Sequence, residues 1–409
     1  MPVHNENSNA GRLAKILIQN GPVVTPTRVI PMGGVLVEDG KILEVLEKPI
    51  PEPAPDIHVI DAAGRIISPG FVDLHVHGGG GLEVMNAPPG DISKICLAHS
   101  RYGTTSMLPT TLAAPIDDIC RTIDNIREAR KVCETAKEPT GADILGVHLE
   151  GPYFSMSQRG AQAPEYIINP DAENISRLLD RWDGIRMMGA APEIPGGFEL
   201  GTELVRRGIV ASVAHSDATF EDIEKAISYG YTDITHIYSG CSHVHRVNAY
   251  RVAGVVEAGL YFDDLTAQVI ADGKHLPPSL LRLIYKCKGA DKIALITDGL
   301  GPSAADIPEG TVYTQPNGMQ TVLDDGVMKL MDFQSFAGSC ATMSRLVRNM
   351  IELAGAPLVD AVRMASLTPA TVIGAAKRGC LAPGFSADII LFDDKINVST
   401  VMVRGRLLH

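Results

Sequence analysis

The sequence predicts an α/β protein with a (β/α)8 TIM-like barrel and a small β-sandwich domain formed from both chain ends. Three observations predict this class. Short apolar runs alternate with helix-like segments through the middle of the chain, which is typical of a parallel sheet buried on both faces. Eight such units spread over about 230 residues match a (β/α)8 barrel. The two chain ends instead consist of short strand-like runs.

The chain ends predict the small domain. In "GGVLVEDGKILEV", Asp39-Gly40 lies between two apolar runs, which is a strong hairpin signal. Near the C-terminus, "ADIILFD" and "STVMVRGRLL" also have the pattern of strands. We therefore expect residues 1–66 and 377–409 to pair into one β domain, with the barrel over residues 67–376.

The middle of the chain supplies the barrel strands and helices. The apolar runs are "FVDLHVHG", "TTSMLPT", "ILGVHLEGP", "IRMMGAAPE", "IVASVAHSD", "DITHIYSG", "AQVIADG" and "KIALITDG". Helix-like segments between or after them include "PIDDICRTIDNIREARKVCETA", "FEDIEKAISYG" and "PPSLLRLIYKCKG". An open doubly wound sheet is the alternative, but no GxGxxG motif opens a first βα turn.

Composition excludes several classes of protein. The formal net charge of the 409 residues is −12, and no Lys/Arg-rich run suggests nucleic-acid binding. The seven cysteines include no CxxC pair, which argues against a disulfide framework or a cysteine zinc finger. No apolar run is long enough to span a bilayer, and the N-terminal stretch "MPVHNENSNAGRLAK" is polar. We expect a cytoplasmic protein without membrane contact.

Metal-capable side chains cluster at the ends of the predicted strands. In a barrel these ends meet at one face, where active sites lie. The residues of this group are His75, His77, Glu150, His215, His236 and Asp298. Residues i and i+2 of a strand point to the same side, so both imidazoles of the His-Val-His run face inward.

Each of these residues also has a simpler interpretation. A single buried histidine is more often a hydrogen-bonded core residue, and an acid at a strand end is often a helix cap. The joint pattern, in register at five strand ends, favours a metal site. Histidine and carboxylate ligands suit Zn²⁺ or Fe²⁺, and such a site lowers the pKa of bound water to about 7.

Several motifs together resemble a known family. They are "ISPGFVDLHVHG", "GVHLEGPY", "APE", "VAHSDA", "THIYSG", "IADGKHL", "LITDG", "FAGSCATM" and the C-terminal "LAPGFSADIILFD". They resemble the amidohydrolase superfamily of metal-dependent hydrolases, and within it most closely the N-acetylglucosamine-6-phosphate deacetylases. The resemblance runs from about residue 12 to the C-terminus, and "HLEGP" and "ADGKHL" are its most specific parts.

The resemblance implies roles for individual residues. Glu150, His215 and His236 would hold the main divalent metal. His75 and His77 would hold a second one, with Glu150 bridging, so one or two ions of Zn²⁺ or Fe²⁺ are expected per subunit. Asp298 would act as general base and then general acid. Two further residues would lie at the substrate: His275, against the sugar or its phosphate, and Ser339.

The sequence departs from the family pattern around the substrate. Gln162 occupies the place of a histidine that helps to hold the acyl carbonyl. Ser239-Gly240-Cys241 replaces an Asn-Ala pair that meets the ligand. The phosphate-binding arginine, which in the family reaches the neighbouring subunit's site, corresponds to either Arg246 or Arg251. The resemblance therefore implies a homodimer.

The expected reaction is hydrolysis of the N-acetyl group of an amino sugar phosphate, N-acetylglucosamine 6-phosphate first. The altered residues around the substrate leave other substrates open, for example N-acetylgalactosamine 6-phosphate or an N-acyl-amino acid. A non-catalytic metal-bearing scaffold is a rival, but the sequence retains Asp298 and the whole ligand set. A glycosidase with two carboxylates is a further rival, and it does not explain the histidines.

Overall fold

The computed structural model describes residues 15–136, 138, 140–316 and 318–408. The polar N-terminal stretch on which the cytoplasmic prediction rests lies largely outside these residues.

The strands in chain order are β1 (Lys15–Val24), β2 (Val29–Glu38), β3 (Lys41–Leu46), β4 (Ile57–Asp61), β5 (Ile66–Pro69), β6 (Phe71–Val76), β7 (Gly78–Gly79), β8 (Leu82–Glu83), β9 (Thr104–Pro109), β10 (Asp143–Ile144), β11 (Val147–Glu150), β12 (Ile185–Ala190), β13 (Val210–Val213), β14 (Tyr231–Ile234), β15 (His245–Val247), β16 (Tyr250–Val252), β17 (Thr266–Val269), β18 (Ile293–Leu295), β19 (Val312–Thr314), β20 (Gln320–Asp324), β21 (Val327–Leu330), β22 (Ile389–Phe392), β23 (Val398–Val403) and β24 (Arg406–Leu407).

The helices bury apolar faces against the strands. They are α1 (Pro89–Ser100), α2 (Ile116–Thr135), α3 (Ala172–Leu179), α4 (Gly197–Arg206), α5 (Phe220–Ser228), α6 (Val255–Tyr261), α7 (Pro278–Lys288), α8 (Met343–Glu352), α9 (Leu358–Ala365) and α10 (Leu367–Val372). In α2, for example, Ile119, Ile123 and Ile126 lie about one turn apart and are fully buried. Among the described residues, no helix is both long and apolar enough to cross a membrane.

The strands from the two chain ends share one sheet. Its order is β24-β23-β22-β5-β1-β2-β3, with β4 beside β1. Antiparallel pairing of β5 with β22 joins the two ends, and Ile66 pairs with Phe392 there. The sheet extends to Pro69, slightly beyond the predicted boundary at residue 66. The two-layer sandwich and the boundary between residues 376 and 377 stay predictions.

The turn between β2 and β3 is the one that the sequence predicts. Asp39 and Gly40 both adopt left-handed backbone conformations, with φ of 50° and 74°. A two-residue hairpin turn of this kind needs positive φ at both central positions, which aspartate and glycine tolerate. Glu38 and Lys41 pair directly on either side of the turn.

Parallel strands from the middle of the chain form two ladders that curl around. One ladder has the order β10-β9-β6, and the other has the order β11-β12-β13-β14-β17-β18. Single parallel bridges join the two ladders at both edges, between Thr110 and His148 and between Val76 and Gly299. Each apolar run predicted as a barrel strand overlaps a strand of these ladders. The curled parallel sheet therefore brings the strand ends predicted to carry the site to one side.

Besides the short β7–β8 pair, two antiparallel units interrupt the alternation of strands and helices in the described parts of the chain. The β15–β16 hairpin follows β14 and is exposed over residues 243–251. The three-stranded sheet of β19, β20 and β21 follows β18, between Asp298 and α8. Neither unit has a counterpart in the predicted barrel. Each lies in the segment that follows the end of a parallel strand, β14 for the first and β18 for the second. They are therefore positioned to add residues around the site.

A buried arginine connects the sheet of the chain ends to the parallel strands. Arg378 donates to Asp143, in β10, at 2.5 Å and to Asp388, next to β22, at 2.6 Å. The side chains of both aspartates are less than a tenth exposed. One guanidinium thus bridges two buried carboxylates that belong to different sheets.

Candidate metal and active site

The six predicted metal and catalytic residues lie together, most of them at the wall of one cavity. The cavity has a volume of about 320 Å³ and is lined by His77, Glu150, His215, His236 and Asp298, among others. His75 is fully buried directly behind His77. Glu150 ends β11, and the others lie in or just after β6, β13, β14 and β18. Two groups of three side chains have donor atoms close enough to hold a metal ion: His75, His77 and Glu150, and Glu150, His215 and His236.

Glu150 is common to both groups. Its Oε1 lies 3.1 Å from His215 Nε2 and 2.9 Å from His236 Nε2. The opposite ring nitrogens of these histidines face backbone carbonyls, with His215 Nδ1 2.8 Å from Gln158 O and His236 Nδ1 3.0 Å from Ser239 O. A carbonyl only accepts, so Nδ1 carries a hydrogen, and in the neutral ring the lone pair is therefore on Nε2. This is the tautomer that a metal ligand needs.

The His-Val-His pair is held differently. His75 Nε2 and His77 Nε2 lie 2.9 Å apart, and His77 Nε2 is 3.3 Å from both Glu150 Oε2 and Asp298 Oδ1. The Nδ1 atoms of both rings are buried and have no hydrogen-bond partner among the described residues. The two rings thus aim their Nε2 atoms at one point, but no second group fixes their tautomers.

The electrostatics of the site suit a cation. Burial alone would raise the pKa of Glu150, but hydrogen bonds from His215, His236 and His77 hold it well below its usual value. Burial lowers the pKa of His75 well below its usual value, so that ring favours the neutral form. Burial also acts to raise the pKa of Asp298, and the neighbouring histidines bring it down to about 2. Hydrogen bonds to the two carboxylates raise the pKa of His77 to about 10 although burial opposes this. Two buried carboxylates are thus held as anions by positive charge, which a divalent ion also supplies.

Three of the site residues have strained backbones. His215, His236 and Asp298 adopt φ of 46°, 29° and 48°, in the left-handed region that non-glycine residues rarely enter. Each follows the end of a parallel strand. Such conformations cost about 1–3 kcal/mol each and cluster at functional sites, where surrounding structure imposes them.

Gln162 uses both ends of its amide inside the protein. Its Nε2 donates to Glu150 Oε2 at 2.7 Å, and its Oε1 accepts from the Ala113 N–H at 3.0 Å. The side chain also lines the cavity. The sequence predicts a substrate contact here, and the structure adds a contact to the carboxylate shared by both metal groups.

Ser239 and Gly240 line the cavity as predicted. Gly240 has φ of 55°, and a Cβ atom there would lie 2.6 Å from His215 Nδ1. Only glycine therefore allows the backbone to pass this close to the ring. The Gly240 carbonyl also accepts from the Ser216 N–H at 2.9 Å, which fixes the chain next to His215.

His275 lines the cavity and pairs with a residue that the sequence analysis missed. Its Nδ1 lies 2.7 Å from Asp272 Oδ2, and Asp272 Oδ1 accepts from the N–H groups of Lys274 and His275. Both side chains are almost fully buried. The carboxylate fixes the ring orientation, and the spacing of three residues in "ADGKH" is the signal that could have indicated the pair.

Ser339 is not among the residues that line the cavity, and its role as a substrate-binding residue stays a prediction. Its hydroxyl donates to Thr297 O and accepts from the Ala341 N–H, and its backbone N–H donates to Asp298 O at 2.8 Å. The side chain is fully buried. Ser339 therefore lies behind Asp298 and supports the backbone that carries it.

Arg246 and Arg251 lie outside the cavity of their own chain. They face each other as a cross-strand pair in the exposed β15–β16 hairpin. Among the described residues, those lining the cavity include no lysine or arginine. The structure therefore does not bring either predicted phosphate ligand to the site within one subunit.

Other cavity residues were also missed from sequence. Gln315, Gln334, Ser335 and Phe336 come from the β19–β21 sheet and the loop that follows it. Phe336 packs on the ring of His275, with ring centroids 4.7 Å apart. These residues follow no strand end of the barrel pattern, so periodicity gave no signal for them.

Comparison with known proteins gives a consistent result. A family profile described as the amidohydrolase family matches residues 66–408. The chain is 30% identical over 399 residues to the N-acetylglucosamine-6-phosphate deacetylase of Lysinibacillus sphaericus, covering 96% of this chain and 97% of that protein. It is 31% identical over 373 residues to the N-acetylgalactosamine-6-phosphate deacetylase of Escherichia coli O157:H7, covering 91% and 93%.

Solved structures agree with the sequence relatives. An N-acetylglucosamine-6-phosphate deacetylase from Pasteurella multocida superposes with a TM-score of 0.87 at 28% identity, covering 96% of this chain and 99% of that one. A mutant of the Mycobacterium smegmatis enzyme, crystallised with N-acetyl-D-glucosamine-6-phosphate, superposes with a TM-score of 0.86 at 28% identity, again covering 96% and 99%. The similarity thus extends over both the curled parallel sheet and the sheet of the chain ends.

Proposed function

The chain belongs to the N-acetylglucosamine-6-phosphate deacetylase family of the amidohydrolase superfamily, and we propose that it hydrolyses N-acetylglucosamine 6-phosphate to glucosamine 6-phosphate and acetate. The observation that carries the proposal is the position of Asp298. This carboxylate lies 3.3 Å from His77 Nε2 and 3.5 Å from His75 Nε2, at the wall of the cavity that Glu150 also lines. A proton-transfer group thus adjoins both metal-capable groups.

The donor set fits one or two divalent ions per subunit, Zn²⁺ or Fe²⁺. Glu150, His215 and His236 would hold the first ion, and His75 and His77 would share Glu150 with the second. The closeness of the donor atoms, the low pKa of Glu150 and the burial of all five side chains support this assignment. When bound, such an ion supplies a Lewis acid and makes a coordinated water more acidic.

Asp298 would carry the proton through the reaction. It accepts a proton from the attacking water as the water oxygen bonds to the acetamide carbon. As the C–N bond breaks, it gives that proton to the departing sugar nitrogen, which leaves as a neutral amine. One carboxylate thus serves as base and then as acid, and acetate and amino sugar are the products.

Gln162 would assist at the acyl oxygen. A primary amide has two N–H groups, and one N–H of Gln162 is used by Glu150. The second is available to the acyl carbonyl oxygen at the cavity wall. Ser239, Gly240 and His275 would complete the contacts to the sugar, as their positions at the cavity suggest.

The phosphate would be bound by an arginine of a second subunit. The lining of the cavity lacks a lysine or arginine among the described residues, while Arg246 and Arg251 are exposed on a hairpin that extends from the site. We therefore propose a homodimer in which Arg246 or Arg251 reaches the partner's cavity. The curled sheet would be a closed (β/α)8 barrel, the chain ends would form the β-sandwich predicted from residues 1–66 and 377–409, and the protein would be cytoplasmic.

A second substrate is N-acetylgalactosamine 6-phosphate. The relative from Escherichia coli O157:H7 carries that sugar in its name and is as similar to the chain as the glucosamine deacetylases. The change to Ser239-Gly240-Cys241 also alters the residues next to the ligand. The two sugars differ only at C4, so the same reaction serves both.

Acetate release from a small panel of sugars tests the proposal. The panel contains N-acetylglucosamine, N-acetylgalactosamine and the 6-phosphates of both. We expect hydrolysis of at least one phosphorylated sugar, with kcat/KM at least about tenfold above that of the free sugar, because charged hydrogen bonds to phosphate contribute about 1.5–3 kcal/mol each. Equal activity on phosphorylated and free sugars would contradict the proposed phosphate-binding site. Absence of acetate release from all four sugars would contradict the proposed deacetylase function.

A further inference from the structure

Gln315 is a cavity residue outside the machinery described above. It follows β19, in the antiparallel sheet inserted between Asp298 and α8. Its backbone is fully used: the N–H donates to Met319 O and the carbonyl accepts from the Gly318 N–H, both at 2.9 Å. These two bonds, to Gly318 and Met319, hold the Gln315 backbone in place at the cavity wall.

The side chain of Gln315 is buried but has no partner. The residue is 4% exposed, and its amide makes no hydrogen bond to any other residue in the described parts of the chain. It lines the cavity. The amide atoms are not among the fully buried polar atoms that lack a partner, so they are reached from the cavity. The amide is therefore free to pair with a molecule in the cavity.

Gln162 differs from Gln315 in the hydrogen bonding of its side chain. Gln162 also lines the cavity, but it bonds Glu150 through Nε2 and Ala113 through Oε1. Gln315 has both its NH₂ group and its oxygen available. A neutral amide that can donate and accept at once matches a hydroxyl group, which also does both. Phosphate is an acceptor without a donor when fully ionised, and it is better served by a guanidinium.

The support beneath Gln315 is rigid. The Tyr313 hydroxyl, two residues before it, hydrogen-bonds the buried carboxyl of Glu83, and Glu83 accepts from the Gly301 N–H at 2.8 Å. On the other side of the same sheet, Asp325 forms an ion pair with Lys274 at 2.8 Å, one residue from His275. The inserted sheet is thus tied to the segments that follow both β6 and β17.

We infer that Gln315 is a specificity-determining residue that hydrogen-bonds the C4 hydroxyl of the sugar, at which the two candidate substrates differ, through its side-chain amide. The inference rests on the proposed function. It identifies the protein group that hydrogen-bonds the sugar at this wall of the cavity. The acyl end of the substrate lies at Glu150 and Gln162, so Gln315 contacts a part of the sugar that does not react. A contact of this kind distinguishes sugars that differ in the position of one hydroxyl.

The test compares Gln315→Met with Gln320→Met in the full-length, metal-loaded protein. Methionine keeps the length of the side chain and removes its hydrogen bonding. Gln320 begins β20 in the same sheet, is exposed, and does not line the cavity. We measure kcat/KM for the 6-phosphates of N-acetylglucosamine and N-acetylgalactosamine, together with metal content and thermal unfolding.

For Gln315→Met we expect kcat/KM on the preferred sugar to fall by at least about tenfold, since its hydroxyl is left buried without a partner. The ratio of kcat/KM for the preferred sugar phosphate to kcat/KM for the other should move toward one. Metal content should stay unchanged. Gln320→Met should stay within twofold of wild type. If Gln315→Met folds poorly, Gln315→Asn withdraws the amide by one methylene and should shift the ratio in the same direction.

Equal losses on both sugars, or activity of Gln315→Met within threefold of wild type on both, would overturn the inference while leaving the deacetylase function intact. A wild-type protein that hydrolyses neither sugar phosphate would overturn both. The wild-type rates and the variant ratios thus separate the two failures.

Discussion

Gln162 donates a hydrogen bond from Nε2 to Glu150 Oε2 at 2.7 Å, while Glu150 Oε1 faces His215 and His236. The two carboxylate oxygens of Glu150 therefore have different partners. One oxygen is fixed toward the His215/His236 group, and the other is held between Gln162 and His77. The residue that departs from the family pattern therefore positions the carboxylate that both metal groups share.

The first prediction follows from this bond. Gln162→Leu removes the donor to Glu150 and leaves the Ala113 N–H unpaired, so metal affinity should fall about 10–100-fold, as is typical when a partner of a metal ligand is lost. Competition with a coloured chelator measures this affinity. Gln158→Leu is the control, because its side-chain amide donates to Asp217 and, among the described residues, makes no hydrogen bond to Glu150. Unchanged affinity in Gln162→Leu would show that Glu150 holds its position without this bond.

The second prediction concerns unequal metal sites. His215 and His236 have their Nδ1 atoms tied to carbonyls, whereas those of His75 and His77 have no partner among the described residues. Graded chelation should therefore remove one ion per chain first, and a variant with His75→Asn and His77→Gln should lack that ion. Elemental analysis by mass spectrometry counts the ions. A wild-type protein that never exceeds one ion per chain, given ample Zn²⁺ or Fe²⁺, would contradict the second site.

The third prediction tests the proton carrier. Asp298→Asn keeps the shape of the side chain but cannot take up a proton, so kcat should fall by at least about 10², the lower range for general acid–base catalysis. Metal content and substrate affinity, measured by calorimetry, should persist. Turnover within tenfold of wild type would assign the proton transfer to another group.

The fourth prediction tests the contribution of a second subunit. Arg246→Ala or Arg251→Ala should lower kcat/KM on the phosphorylated sugar by at least about tenfold and change little on the free sugar, since a guanidinium–phosphate contact is charge-assisted. Refolding the affected variant together with Asp298→Asn should restore part of the activity. In the mixed dimer, one site then combines an intact Asp298 with an intact arginine from its partner. Failure of the mixture to recover would exclude an arginine supplied by the partner.

The fifth prediction concerns stability. Arg378→Met leaves Asp388 buried without a cation among the described residues and leaves Asp143 with the Arg404 guanidinium at 3.8 Å. Breaking a buried pair from one side costs about 3–5 kcal/mol. Urea unfolding should show a decrease of this size. Arg121→Met, in an exposed pair with Asp118, should change stability by less than about 1 kcal/mol and serves as the control. A similar small effect for both would contradict the role of Arg378 as a connection between the sheets.

The sequence predicts the metal-capable group well for a physical reason. Strand periodicity places His75 and His77 on one side, and parallel topology places Glu150, His215 and His236 at the same end as both. It does not predict which contacts are made after the strands end. Ser339 faces Thr297 instead of the cavity, and Gln162 bonds Glu150, because loop conformation decides both.

The position of Gln315 at the cavity could not be predicted from the sequence. It lies in an inserted antiparallel sheet, where neither the barrel alternation nor a motif assigns a direction to a side chain. Only the three-dimensional placement of β19 beside the cavity reveals an unpaired amide there. Asp272 is an intermediate case, since its spacing to His275 was visible in "ADGKH" but the bond between them was not.

The pairing of β5 with β22 has a consequence for how the protein is made. These strands are roughly 320 residues apart, from Ile66 to Phe392. At about 5–20 residues per second, a ribosome that has produced β5 needs on the order of tens of seconds to produce its partner. During that interval the edge of β5, with Ile66 and Ile67 uncovered, is open to pairing with other nascent chains. We expect the newly synthesised chain to need chaperone protection until its last strands emerge.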